Sequence, residues 1–201
     1  MNKINVASYI KSMEPYQGGL PIEEVARKLN IPAQEIVKLA SNENPLGMSP
    51  LAKKAIEKSL SDIERYPDGN GFYLKQAISK KFKIQTSEII LGNGSNDVLE
   101  LVARAFLSEG DEAIYSEHAF AVYSLVVKAV GARGVEVPAV NYAHNLDGFK
   151  KAITNKTKVI FIANPNNPTG TFISKEDIRN FLDYIPSNII IVLDEAYDEY
   201  L

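Results

Sequence analysis

From Glu88 onward the chain alternates short apolar runs with helix-length amphipathic stretches, and this alternation narrows its possible folds more than any other feature. Ile89–Leu91, Ala113–Ser116, Gly134–Pro138, Val159–Ala163 and Ile189–Leu193 read as strands. Between them, Ser95–Leu107, Ala119–Val130, Leu146–Ile153 and Lys175–Tyr184 carry helical spacing, the last with Ser174 as its N-cap. Strands separated by helices are joined by crossovers, which predicts an α/β fold: a mostly parallel sheet with helices on both faces. Ile189–Leu193 is an unbroken β-branched and leucine run, the pattern of a strand covered on both faces, so a neighbour is expected on either side. The chain stops at Leu201, soon after that strand, and the expectation is a domain incomplete at its C-terminus.

The first half reads differently. Met1–Gly19 is expected to be an irregular arm. Pro21 opens a short helix, Ile22–Leu29, with acidic residues in the favourable first turn. Val37–Ala40 is a candidate short strand leading into the Asn/Pro/Gly loop Ser41–Gly47. Ser49-Pro50 combines a hydroxyl N-cap with proline at the first helical position. Leu51, Ala55, Ile56 and Ser59 give the helix that follows an apolar-leaning face, and its lysines form a solvated one. A further loop, Ile63–Gly71, precedes a helix at Phe72–Phe82.

Composition removes several classes of function. Lys and Arg number 22 against 25 Asp and Glu, a net charge of -3, which disfavours a dedicated nucleic-acid binder. There is no cysteine, which excludes a disulfide framework, a thiolate metal site and a cysteine nucleophile, and fits the cytoplasm. No metal is expected. Met1–Tyr16 has no apolar core of a secretory signal, and no apolar run approaches the length needed to cross a bilayer.

Three loops at strand ends carry candidate chemistry. Gly92-Asn93-Gly94-Ser95-Asn96 lies between a strand and a helix. It is either a plain tight turn or a cradle whose free N–H groups and helix dipole hold a phosphate. Asp97 stands where a dinucleotide fingerprint wants glycine, which argues against a nicotinamide-binding site. Asn164–Gly170 has two prolines and three asparagines, either a stiff connection or a means of fixing amide groups at a strand's carboxyl end. Asp194-Glu195-Ala196-Tyr197 follows the apolar strand, placing an acid that is either structural or paired with a cationic ligand group. Together these loops suit one ligand with a phosphate, a phenol-type oxygen and a basic ring nitrogen; pyridoxal 5′-phosphate has all three.

The motifs also resemble a known family. Lys38-Leu39-Ala40-Ser41-Asn42-Glu43-Asn44-Pro45-Leu46-Gly47, Arg65-Tyr66-Pro67-Asp68, Gly92–Ser95, Asn164–Gly170 and Asp194–Tyr197 are similar, in order and spacing, to the N-terminal half of fold-type-I pyridoxal-phosphate aminotransferases of the histidinol-phosphate group. The resemblance runs from Glu14-Pro15-Tyr16 to Tyr200. It implies that Asp194 pairs with the pyridine nitrogen and that Asn167 and Tyr197 hydrogen-bond the ring's O3′. It implies that Phe120, in His118-Ala119-Phe120-Ala121-Val122-Tyr123, stacks on the ring where relatives often have tyrosine. Gly94, Ser95 and Asn96 would hold the phosphate, Asn96 standing where many relatives have an acid. Tyr66 would reach the cofactor phosphate of the other subunit of a homodimer, and Tyr16 and Asn44 would lie near the substrate. Residues 1–48 would be arm and small-domain or dimer-contact segment, and 49–201 part of the cofactor-binding large domain. The Schiff-base lysine of such enzymes lies further along than this chain extends, so no catalytic residue is nominated and the chain alone is expected to be inactive. The implied reaction moves the amino group of histidinol phosphate to 2-oxoglutarate in histidine biosynthesis. The alternatives are a related threonine-phosphate decarboxylase, an aromatic aminotransferase, or a non-catalytic dimerisation or binding fragment.

Overall fold

A computed structural model describes residues 5–16 and 18–201; the first four residues and Gln17 of the expected arm lie outside them. The chain divides into two compact units, one of Met1–Tyr16 with Ile90–Leu201, the other of Gln17–Ile89.

The first unit holds the sheet. Its described helices are α1 (Ser8–Lys11), α5 (Ser95–Phe106), α6 (Val122–Ala129), α7 (Leu146–Ala152) and α8 (Lys175–Tyr184), numbered along the whole chain. Its strands are β1 (Glu112–Ser116), β2 (Arg133–Val137), β3 (Thr157–Ala163) and β4 (Ile190–Asp194). All pairings are parallel, in the order β2-β1-β3-β4. The strand period of two divides the core cleanly. Ala113, Tyr115, Val159, Phe161 and Ala163 pack against Leu99 and Ala103 of α5 and Tyr123, Val126 and Val127 of α6. Ile114, Ile160 and Ile162 point the other way, onto Phe149 of α7 and Phe181 of α8. Helices therefore cover both faces, as the alternation predicts.

Local chemistry sets several boundaries. The Ser174 hydroxyl accepts the Asp177 N–H at 3.1 Å and caps α8, and Asn145 caps α7 by accepting the Gly148 N–H at 2.9 Å. α1 turns the expected irregular arm into one short helical turn, docked on α6 by Lys128 Nζ donating to the Ser12 carbonyl at 2.6 Å.

The second unit contains α2 (Ile22–Leu29), α3 (Pro50–Ser59) and α4 (Phe72–Phe82). α2 ends on Asn30 in the left-handed conformation, at φ 53°, with acids in its first turn and bases in its last. Pro50 stands at the start of α3 as expected, but the Ser49 side chain makes no capping bond.

Three expectations need correction. Val37–Ala40 forms no strand: it has no ladder partner among the described residues, and Val37 and Leu39 are exposed. Ile89–Leu91 also has no ladder partner among the described residues and lies between the 3₁₀ turn Thr86–Glu88 and the glycine turn at Gly92. The strand covered on both faces is β3, not the run at Ile189–Leu193. β4 pairs only with β3 among the described residues, and Ile190 and Leu193 remain part exposed.

Candidate functional site

The strand order creates the site. The chain leaves β1 through α6 toward β2 on one side, and leaves β3 through α8 toward β4 on the other. The loops at the carboxyl ends of β1 and β3 therefore diverge, leaving the crevice where open α/β sheets take ligands. His118–Ala121 forms one lip, Asn164–Gly170 the other, and the end of β4 extends the second lip.

Asp194, the last residue of β4, is half-buried. It alternates with Val192, which packs on the core facing α5 and α6, so its side chain belongs to that face. There its Oδ2 accepts the Tyr123 hydroxyl at 2.7 Å, and its Oδ1 accepts the Ala196 N–H at 3.2 Å. Tyr123 is fully buried, stacked on Phe161 with ring centroids 5.0 Å apart and planes 12° apart. Burial, then the neighbouring Asp194 charge, pushes its phenol pKa far up, so Tyr123 is a permanent donor to the carboxylate. Phe120 meets the Tyr123 ring edge-on at 5.9 Å. The Asn167 amide donates to the Tyr197 hydroxyl at 3.5 Å.

α5 brings the remaining group. It packs on the same sheet face as Tyr123 and enters β1 through a short turn at residues 107–111. Its C-terminus therefore lies at the amino end of the strands. Twelve residues reach about 18 Å back along the sheet, which carries Gly94, Ser95 and Asn96 toward the carboxyl ends. The Ser95 and Asn96 backbone amides have no acceptor among the described residues, as first-turn groups of a helix do without a cap. Asp97 turns back to accept the Asn93 N–H at 2.8 Å, which fixes the turn and leaves those amides exposed. Gly94 lies at φ 82°, ψ 176°, a region nearly exclusive to glycine, and a Cβ there would meet nothing within 4 Å. The constraint is in the backbone, not in crowding. Gly94→Ala is expected to cost about 1–3 kcal/mol of stability and to weaken phosphate-ligand binding; urea unfolding and ligand titration would check both.

The structure thus gathers Phe120, Asn167, Asp194 and Tyr197 around one crevice, with Gly94, Ser95 and Asn96 on the same face. Tyr16, in the first unit, is 57% exposed. Asn44 and Tyr66 belong to the second unit. The Asn44 side chain closes its own loop, accepting the Leu46 N–H at 3.0 Å and donating to the Gly47 carbonyl at 3.1 Å, whereas Tyr66 is fully exposed.

Two groups escaped the sequence reading. Tyr123 stands in the sequence only as the last residue of the string His118–Tyr123, and its one-turn separation from Phe120 is the available signal. His144 is buried, donating from Nε2 to the Ala163 carbonyl at 2.8 Å, while Nδ1 has no partner among the described residues. Burial lowers its pKa from the usual 6.5, the carbonyl bond opposing this only in part. The unfolded chain then binds a proton that the fold refuses. Stability is fully present above about pH 6.5 and falls as pH drops below it, by at most about 1.4 kcal/mol per pH unit. His144→Gln should flatten that acid limb in unfolding curves.

The sequence model for aminotransferase class I and II matches residues 34–201. Histidinol-phosphate aminotransferase 1 of Idiomarina loihiensis is 58% identical over 192 residues, covering 96% of this chain and 52% of that protein. Histidinol-phosphate aminotransferase of Methylobacillus flagellatus is 56% identical, covering 96% and 52%. The crystal structure of histidinol-phosphate aminotransferase from Sinorhizobium meliloti, in complex with pyridoxal-5′-phosphate, superposes with a TM-score of 0.84 at 26% identity, over 96% of this chain and 51% of that one. The chain spans about half the length of the curated relatives it matches. With that family model matched over residues 34–201 and the parallel sheet in place, the chain belongs to the class I and II aminotransferases.

Proposed function

We propose that this chain forms the cofactor cradle of a pyridoxal-phosphate-dependent aminotransferase that takes its amino group from histidinol phosphate and gives it to 2-oxoglutarate. The observation that carries the reading is Asp194, held by Tyr123 on the sheet face that also bears the open amides of α5. The substrate assignment rests on the relatives' names.

The residues present fit the group. Free first-turn amides at Ser95 and Asn96 suit a phosphate dianion, which the helix dipole also favours. Gly94 keeps its side of the turn clear for close approach. The Asp194 carboxylate would accept the pyridine N–H and keep that proton in place, with Tyr123 orienting it from behind. Asn167 and Tyr197, already adjacent, would donate to O3′. Phe120 would cover one ring face and exclude water from it. Pyridoxal phosphate, when bound, supplies an electron-withdrawing ring that stabilises negative charge at the substrate's α-carbon. The proton movement at that carbon needs a base that this reading assigns to none of the residues here.

Residues 1–48 would serve as arm and dimer contact, and 49–201 as the cofactor-binding part. The working form would be a cytoplasmic homodimer, with Tyr66 reaching the partner subunit's cofactor phosphate and Tyr16 and Asn44 near the substrate. No helix of the described residues is long and apolar enough to cross a membrane.

Steady-state assays of the intact encoded protein test the proposal. Histidinol phosphate with 2-oxoglutarate should yield glutamate, and the 201-residue chain assayed alone should yield none. Carbon dioxide release from threonine phosphate, or glutamate formation only from aromatic amino acids, would replace the assignment with one of those chemistries.

A further inference from the structure

We propose that Asn166 is a positioning residue that latches the two lips of the crevice and so sets the spacing between Phe120 and Asn167. The inference rests on the reading above, since it concerns the same ligand.

Asn166 is only 4% exposed, an unusual placement for an amide on a surface loop. Its Nδ2 donates to the His118 carbonyl at 2.8 Å and to the Thr169 hydroxyl at 2.7 Å. The His118 carbonyl can only accept, so the amide's NH₂ must face it. Both Nδ2 hydrogens are then used. The backbone is engaged as well: the Asn166 N–H donates to the Thr171 carbonyl at 2.9 Å, and its own carbonyl accepts the Gly170 N–H at 2.8 Å. Oδ1 is buried with no partner among the described residues.

An unsatisfied buried acceptor is costly, and loop chemistry alone gives no reason to tolerate it. The loop's own turn is closed by the Gly170 and Thr171 bonds without help from the side chain. Beyond its contact with Thr169 inside the loop, the side chain adds the bond to His118, across the crevice. His118 stands two residues before Phe120, and Asn166 immediately precedes Asn167. The latch therefore joins the group that would cover the ring face to the group that would bond O3′. The lips have a second, weaker support on the solvent side: the His118 and Tyr142 rings lie 5.2 Å apart, and the Thr171 hydroxyl reaches the Tyr142 carbonyl at 3.4 Å. Asn166 is the inner, shielded tie.

The test uses the intact encoded protein, with Asn166→Leu, Asn166→Asp and Thr169→Val compared with wild type. Leucine keeps the volume, removes both donors and removes the orphaned acceptor. Aspartate keeps the shape and removes the donors. Valine at 169 removes the hydroxyl's contacts within the loop, to Asn166 and Thr171, and leaves the His118 bond in place. Three quantities are read: the unfolding midpoint of the apoprotein, the dissociation constant for pyridoxal phosphate, and the circular dichroism induced in the bound cofactor at saturation. Asn166→Leu should weaken cofactor binding about tenfold or more, the scale of one well-placed hydrogen bond, and reduce the induced signal, with the apoprotein midpoint little changed. Thr169→Val should stay close to wild type in all three. If Asn166→Leu folds poorly, the induced signal of Asn166→Asp at saturation decides, because it reports ring orientation whatever the affinity. Wild-type affinity and signal in the Asn166 variants would overturn the latch while leaving the cofactor reading intact. Wild-type protein that takes up no pyridoxal phosphate would overturn both.

Discussion

Asp194→Ala should lower kcat of the intact protein by about 10²–10³-fold, the scale of removing one preorganised electrostatic partner. The same substitution strands the fully buried Tyr123 hydroxyl that Asp194 now accepts at 2.7 Å. An unpaired buried donor costs about 1–3 kcal/mol, so stability should fall along with activity. Asp194→Asn separates the two effects. Its amide oxygen can still accept from Tyr123, so the unfolding midpoint should stay close to wild type. A neutral amide has no charge to hold a proton on a ring nitrogen, so the loss of kcat should persist. Matched turnover and urea-unfolding measurements on both variants check this. An asparagine variant with wild-type turnover would make Asp194 a structural acid.

Phe161→Ala should destabilise the protein by about 3–5 kcal/mol, the range for truncating a fully buried aromatic. Phe161 is 0% exposed in the strand covered on both faces, and its ring is the platform on which Tyr123 stacks. Domains are commonly stable by only about 5–15 kcal/mol, so urea unfolding should show a large shift. The damage should also reach the site. With the platform gone, Tyr123 is free to tilt, and the carboxylate it orients loses its fixed direction. Phe161→Leu keeps most of the volume and should cost under about 1.5 kcal/mol, with turnover much less affected. An alanine variant that loses stability but keeps wild-type turnover would show that the platform under Tyr123 is irrelevant to the site.

The sheet was legible because its signal is local. Val159–Ala163 is apolar at every position, and Asn164-Pro165 marks its end, so composition and a terminator coincide. Lys175–Tyr184 has a serine cap and acids in its first turn, and forms with those bounds. The misreadings occur where local pattern depends on remote pairing. Val37–Ala40 and Ile89–Leu91 have strand-like composition, but a strand exists only if another backbone offers it a ladder. Ile189–Leu193 shows the same limit: its β-branched run predicts cover on both faces, while β4 has a ladder neighbour only at β3 among the described residues. The site divides along the same line. As candidates for the proposed site, Asp194, Asn167 and Gly94 were legible because they stand at strand or helix ends next to turn-forming residues. The partners of Tyr123 and Asn166 were not legible, because they depend on which segments the topology brings together. Tyr123 lies 71 residues from Asp194, and Asn166 lies 48 from His118.

The most direct test is a crystal structure of the intact protein soaked with pyridoxal phosphate. The account predicts the phosphate within hydrogen-bond reach of the Ser95 and Asn96 amides, with the pyridine nitrogen facing the Asp194 carboxylate and Phe120 against the ring. A cofactor seated elsewhere, or one whose phosphate meets α5 while Asp194 turns away from its ring, would contradict it.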